Sequence, residues 1–174
     1  MPQLIKDRAL ADDRWTLLQE AAAALPAGPI VVPLATWKAQ REALVARGDV
    51  GVWLAPDEEP DTLAADTQRL PVIAIDFPQF TDGRGYSHAR LLRDRFGYTG
   101  ELRAIGDVQR DQLYYLAQCG FDAFDIREGK DAEDALASLD DFSDGYQLTQ
   151  QRTPWFRRRA ANASHPGEAW FPCA

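Results

Sequence analysis

At 174 residues the chain has the length of one domain, long enough to bury roughly 70% of its unfolded surface without a disulfide staple. Hydrophobic residues make up 45% and charged residues 26%, and the longest apolar stretch, Pro29 to Ala35, falls far short of the ~20 residues a membrane span requires. Lys and Arg total 19 against 27 Asp and Glu, a formal net charge of -8 that disfavours nucleic acid as a partner. The segment Met1 to Lys6 lacks the long apolar run of an export signal, and Cys119 and Cys173 are too few for a disulfide framework, so a cytoplasmic location is expected.

The first element is the least determined. Residues 3–19 read as a hairpin around Lys6-Asp7-Arg8, or as a lead into a helix starting at Asp12-Asp13; Pro26, Gly28 and Pro29 interrupt any such helix and favour the hairpin. From residue 30 onward, short apolar runs alternate with amphipathic stretches. A strand is predicted over Ile30-Val31-Val32-Pro33-Leu34 and a helix from Trp37 to Arg47. Strands follow at Val50 to Leu54 and Val72 to Ile75, then a helix from Ser87 to Phe96. Leu102 to Ile105 and Asp122 to Ile126 are the remaining strands, separated by a helix from Gln109 to Cys119 and followed by one from Asp131 to Phe142. Strand-helix alternation implies an α/β fold of about five parallel βα units with right-handed crossovers. Five units do not close an eight-unit barrel, so the sheet is either an arc resembling part of a TIM barrel or an open doubly wound sheet. Residues 1–150 are expected to form a single α/β domain, with 151–174 as a mobile tail that carries Trp155, Arg157-Arg158-Arg159, Trp170 and Phe171.

In such folds ligands gather where strands end and the next helices begin. After the third predicted strand comes Asp76-Phe77-Pro78-Gln79-Phe80-Thr81-Asp82-Gly83-Arg84-Gly85-Tyr86-Ser87, the most distinctive stretch of the chain. Gly83 and Gly85 free the backbone, Ser87 is a candidate cap for the next helix, and Arg84 and Arg90 would draw a small anion to that helix start. Asp107 ends the fourth strand and is a candidate cap for the helix behind it. Asp76, Arg103 and Asp125 are charges inside apolar runs, so on neighbouring strands Arg103 would bridge the two carboxylates. The candidate anion or substrate site is therefore Asp76, Arg84, Gly85, Ser87, Arg90, Arg103 and Asp107.

Other chemistry is poorly supported. Gly83-Arg84-Gly85 meets His88 where a dinucleotide fingerprint needs its third glycine, and no Gly-Lys-Ser or Gly-Lys-Thr phosphate loop occurs. His88 and His165 have no metal-ligand spacing, and Ser87 and His88 point about 100° apart on one helix, too far for a shared proton. Cys119 reads as packed rather than reactive. Six acids between Asp131 and Asp144, with no Lys or Arg among them, make a solvated face or a patch for a basic partner. No cofactor is evident, although a flavin held by strand-end loops would leave no such motif.

Several ordered segments resemble one bacterial family, the domain of unknown function 934. They are Asp76-Phe77-Pro78, Asp82-Gly83-Arg84-Gly85-Tyr86-Ser87 with Arg90, Arg103-Ala104-Ile105-Gly106-Asp107-Val108 with Asp111-Gln112, and Cys119-Gly120-Phe121-Asp122-Ala123-Phe124. Ile5-Lys6-Asp7, Asp13-Arg14-Trp15 and Phe142-Ser143-Asp144-Gly145-Tyr146-Gln147 fit the same pattern, so the resemblance covers roughly residues 3–147. What the resemblance implies is a setting in assimilatory sulfate reduction beside the sulfite reductase haemoprotein, in a family whose members are described as oxidoreductases of sulfite reduction. The expectation is an accessory protein acting with sulfite reductase or its electron donor. The alternative is a small oxidoreductase with an anion-binding site at the strand ends, and a third reading is a module that binds a sulfur metabolite as regulator.

Overall fold

The computed structural model describes residues 4–20, 25–127 and 129–141. The expected tail, 151–174, lies outside the described residues, as does Asp144.

The chain opens with the hairpin: β1 (Leu4–Lys6) and β2 (Ala9–Ala11) pair antiparallel, with Leu4 opposite Ala11. Asp7 and Arg8 turn the chain at φ 49° and 64°, the left-handed pair that suits the twist of a two-residue turn. A two-residue strand absent from the sequence reading, β3 (Thr16–Leu17), follows. Then come β4 (Ile30–Pro33), α1 (Leu34–Arg47), β5 (Val50–Leu54), β6 (Val72–Phe77) and α2 (Arg84–Arg90), which runs into a π-helical turn over Leu91–Arg95. The remainder is β7 (Glu101–Gly106), α3 (Leu113–Cys119), β8 (Ala123–Asp125) and α4 (Ala132–Ala137). All five predicted strands are present.

The eight strands make one sheet in the order β2-β1-β8-β7-β6-β5-β4-β3. From β3 to β8 the strands are parallel and stand in chain order, while β1 joins β8 antiparallel. Right-handed crossovers between strands that advance steadily in one direction put every crossover on the same face. A doubly wound sheet needs a reversal of order, and none occurs among the described strands. The sheet is a curled half-barrel.

Chain length demands the curl. Seven gaps of about 4.8 Å would hold the outermost strands of a flat sheet about 34 Å apart. Yet β2 and β3 are those outermost strands, and the five peptide steps from Ala11 to Thr16 reach at most about 18 Å. The sheet must therefore roll until one short strap, residues 12–15, bridges its two edges.

Curling gives the two faces different chemistry. The outer face carries the main core: Ile30, Val32, Val52, Leu54, Ile73, Ile75, Phe77, Leu102, Ala104 and Phe124 pack under the helices. The inner face has a smaller cluster, Val31, Val72, Ala74 and Ile105, onto which Trp15, Leu17 and Trp53 pack. Trp53 Nε1 donates to the Leu18 carbonyl at 2.9 Å and fastens the far end of the strap. Period-2 alternation along β6 and β7 then sends Asp76, Glu101 and Arg103 inward among these residues.

Candidate functional site

The strand register sets the inner face in rows. Asp76 pairs with Ile105, and Ala104 pairs with Phe124, so Asp125 stands beside Ile105 in the same row. One pleat below, Arg103 lies between Ala74 and Ala123. The sequence reading puts Asp76, Arg103 and Asp125 in the third, fourth and fifth predicted strands, and these strands are neighbours in the sheet. The bridge it anticipated is different. Arg103 Nε and Nη2 both donate to Glu101 Oε1, at 2.9 and 2.7 Å, and Nη1 donates to Asp13 Oδ2 of the strap at 2.7 Å. Lys6 adds a 2.7 Å ion pair to the other oxygen of Glu101. Both carboxylates sit closer to the guanidinium than Asp76 or Asp125 does, so the buried charge is compensated from its own strand and from the strap.

Asp76 has no counter-charge among the described residues. It is half-buried one residue before the end of β6, and no described side chain donates to it. Burial pushes its carboxyl above the usual range, the nearby Asp82 pushes the same way, and a bond from the Phe77 backbone only partly offsets them. Gly106 makes room for it: a Cβ there would lie 2.6 Å from Asp76 Oδ1 and 2.5 Å from the Phe77 carbonyl, and φ is +93°. Only glycine satisfies both conditions. Burial likewise raises the Asp125 carboxyl, against the pull of Arg103.

Of the remaining candidates, Arg84 and Asp107 stand at the rim formed by the C-terminal ends of the parallel strands, and Gly85, Ser87 and Arg90 lie in the helix that follows. Arg84 is the first residue of α2, and its Nε and Nη2 fold back onto Asp82 at 3.0 and 2.7 Å. Asp82 Oδ1 also accepts from the Arg84 amide at 3.1 Å, so the exposed start of this helix is met by Asp82. Ser87 is no cap. It lies a full turn inside α2, exposed, behind an N-cap at Gly83. Neither Gly83 nor Gly85 uses the left-handed region; Gly85 is buried because a Cβ would strike the Phe77 ring at 2.6 Å, so its role is helix-to-strand packing. Arg90 points along the outer helix surface to Asp94, 3.1 Å away and one turn on.

Asp107, too, serves a neighbour other than the helix it was expected to cap. Its carboxylate accepts from the Phe80 amide (3.2 Å), from Gln109 Nε2 (3.2 Å) and from Arg127 Nη1 (2.8 Å). Burial works against its ionisation, but these donors outweigh it and hold the carboxyl below its usual range. The following 3-10 turn, Arg110–Gln112, is capped by Gln109 and Gln112 in reciprocal bonds. Asp107 thus ties the ends of β7 and β8 to the loop carrying the exposed Phe80.

Asp76 and Arg103 therefore share the inner face, Arg84 and Asp107 share the rim, and Gly85, Ser87 and Arg90 belong to the helix layer. Three participants escaped the sequence reading. Glu101 was findable, because opposite charges two apart on a strand share a face. Arg127 was findable as well, since it follows β8 as Asp107 follows β7. Asp13 was not, being 90 residues from its partner. His88 is 6% exposed, its Nδ1 has no partner among the described residues, and burial pushes its imidazole below the usual value. Among the described residues no group of three or more His, Cys, Asp or Glu is arranged to hold a metal ion, and no helix is long and apolar enough to cross a membrane.

The model of a bacterial protein family of unknown function, DUF934, matches residues 51–156. The chain belongs to that family. The match begins inside β5 and takes in all seven candidate residues, whereas the hairpin and the strap precede it. No curated protein is similar enough to this chain to match it. The family description assigns no activity, so the chemistry must be argued from the geometry.

Proposed function

We propose that this chain is a cytoplasmic accessory protein of assimilatory sulfite reduction, acting beside sulfite reductase or its electron donor. The family resemblance supplies the setting. One observation favours an accessory role over catalysis: Arg84, Arg90, Arg103 and Arg127 are each already in an ion pair. A site that captures sulfite from water needs uncompensated positive charge, and here that charge is spent internally. What the rim presents instead is acid: Asp57 and Glu59 are exposed and near enough to act on Arg84 and His88 respectively, and Phe80 is exposed with its amide bonded to Asp107. An acidic rim around an aromatic suits a basic protein surface, which it would attract by electrostatic steering.

A strain lacking the gene is expected to need sulfide or cysteine when sulfate is the sulfur source, and its extract to show reduced sulfite reductase activity. Purified protein that restores activity in the extract marks direct action; restoration only on co-expression marks assembly. Normal growth of that strain on sulfate would sink the reading.

A second reading, a small oxidoreductase, draws on Asp76, a half-buried carboxyl that holds its proton more firmly than usual and faces the mouth of the sheet. It predicts a thermal shift with flavin nucleotides and loss of complementation in Asp76→Asn with the fold retained.

A further inference from the structure

Two stretches of opposite charge follow one another in the chain: the acids that begin at Asp131, and the cluster Arg152, Trp155, Phe156, Arg157, Arg158 and Arg159, which lies outside the described residues. The fold gives the acidic stretch a shape. Between the segment that follows β7 and the segment that follows β8 runs a groove of about 320 Å³. The buried Ile126 and Ala135 line it from below, and the exposed Asp111, Asp131 and Asp134 line its lips. Glu133 is exposed on the same turn of α4. Two cations stand among these acids. Arg110 is held by Asp134 at 3.1 Å and by Asp141 at 3.6 Å, so Lys130 is left to offset the rest. Asp111 and Glu133 have no ion pair among the described residues.

We propose that this groove is a docking site for residues 152–159 of the same chain. Charge favours that occupant. Residues 142–174 hold four arginines against Asp144 and Glu168, a net charge of +2 within a chain of net charge -8. Connectivity favours it too. Asp141 is the last described residue, and its ion pair with Arg110 holds it to a residue that lines the groove. Arg157 follows sixteen residues later, within at most about 55 Å of that anchor. A tether of this length keeps a segment at a local concentration in the millimolar range, so a contact too weak between separate molecules is filled within one. The groove supplies an apolar floor for Trp155 or Phe156, which carry the contact area, and acids that orient the arginines. Gln109 lines the groove and donates to Asp107 at the rim, so a docked segment brings positive charge next to the acidic surface around Phe80. A basic partner drawn to that surface has to compete with it. This last consequence rests on the accessory reading; the docking does not.

The test is hydrogen exchange of the full chain at low salt, comparing the natural protein with a form carrying Arg157→Glu, Arg158→Glu and Arg159→Glu. A segment docked nine parts in ten exchanges about tenfold more slowly than the same sequence as a free peptide, and charge reversal should remove that protection. Asp111→Arg with Glu133→Arg should remove it from the other side. Combining the two sets of reversals should bring it back, which a purely structural role of either would not do. If one set fails to fold, the other still gives the readout. A segment that exchanges like the free peptide in the natural protein overturns the proposal, as does protection that survives both reversals, which would place the segment elsewhere. Protection that grows with protein concentration overturns it as well, because the groove would then hold the segment of a second copy.

Discussion

The two ends of the parallel sheet are built to different rules. At the N-terminal end, charges are sunk into backbone and locked. Arg93 alone donates to the carbonyls of Gly120, Tyr98 and Gly100 and to Asp122, at 2.7 to 2.9 Å, while Asp122 Oδ1 accepts the Leu102 amide. Arg47 similarly joins Asp49 to the Gly28 carbonyl, and the hairpin turn closes onto the Asp122 carbonyl. At the C-terminal end the ion pairs are local and solvent-facing, Arg84 with Asp82 and Arg127 with Asp107, and Asp76 has no counter-charge among the described residues. In barrel-like folds the first pattern reads as stability and the second as the place where function is carried. If this contrast is real, substitutions at one end should cost folding, and those at the other should cost function while sparing or improving the fold.

The largest effect is expected from Arg93→Met. It orphans three carbonyls and leaves the partly buried Asp122 carboxylate without its cation, a combined loss of about 4 kcal/mol. Urea unfolding monitored by tryptophan fluorescence measures it. A loss no greater than that of an exposed ion pair such as Arg90 with Asp94 would dissolve the contrast. Next comes Gly106→Ala, the exception that sharpens it, because here the C-terminal end does carry structural strain. The added Cβ meets both positive φ and two oxygens closer than 3 Å, and the expected cost is about 3 kcal/mol in the same assay. Asp76→Ala, which removes that oxygen, restores much of that protein's stability only if the Asp76 oxygen is the atom that resists the methyl group; otherwise the Phe77 carbonyl is.

Asp76→Asn in the natural background should move stability upward. Its carboxyl is raised in the fold, so the stabilising contribution of the protonated group is complete below the unfolded value and is lost as pH rises through the folded one. At neutral pH the ionised group is thus a cost, and the neutral amide should recover about 1 kcal/mol. An Asp76→Asn protein that is more stable yet fails to support growth on sulfate is what a functional carboxylate predicts. A less stable protein would make Asp76 an ordinary structural residue.

The elements of the fold were legible because their signals are local. Val50 to Leu54 is the same strand in the reading and in the structure, and the helices from Trp37, Ser87, Gln109 and Asp131 are present with shifted ends. The curvature was not legible, since it follows from strand order and from the shortness of residues 12–15, and β3 offers only two residues of pattern. The candidate site divides in the same way. Asp76, Arg103 and Asp107 were located by charge in apolar strands or by their place at strand ends, but their partners depend on contacts such as Asp13 with Arg103 that no window on the sequence contains. Ser87 and Gly85 misled because Asp82 starts the helix a turn sooner than the motif suggests, which turns a cap into a surface residue and a flexible glycine into a packed one.

The smallest expected effect tests whether the border between the helix layer and the rim is tuned by acid. His88 lies on the core side of α2, and the charges that act on it are Glu59 before the 3-10 turn Pro60–Leu63, Asp82 on the loop after β6, and Arg84 on its own helix. The two acids favour a charged imidazole and the arginine opposes it, but burial dominates and the folded value lies below 6.5. A base held neutral by burial adds stability above its unfolded value, and that stability falls away as pH drops from about 6.5 through the folded value. Asp122 and Asp125, whose carboxyls are raised, change stability with pH in the opposite sense, so the natural protein alone does not isolate the imidazole. His88→Phe isolates the imidazole: subtracting its unfolding free energy from that of the natural protein between pH 7 and pH 5 should leave a decline of under about 1 kcal/mol. A flat difference would mean that the imidazole takes its proton equally well in the folded and unfolded chain, and that the unpartnered Nδ1 has no part in how the rim responds to acid.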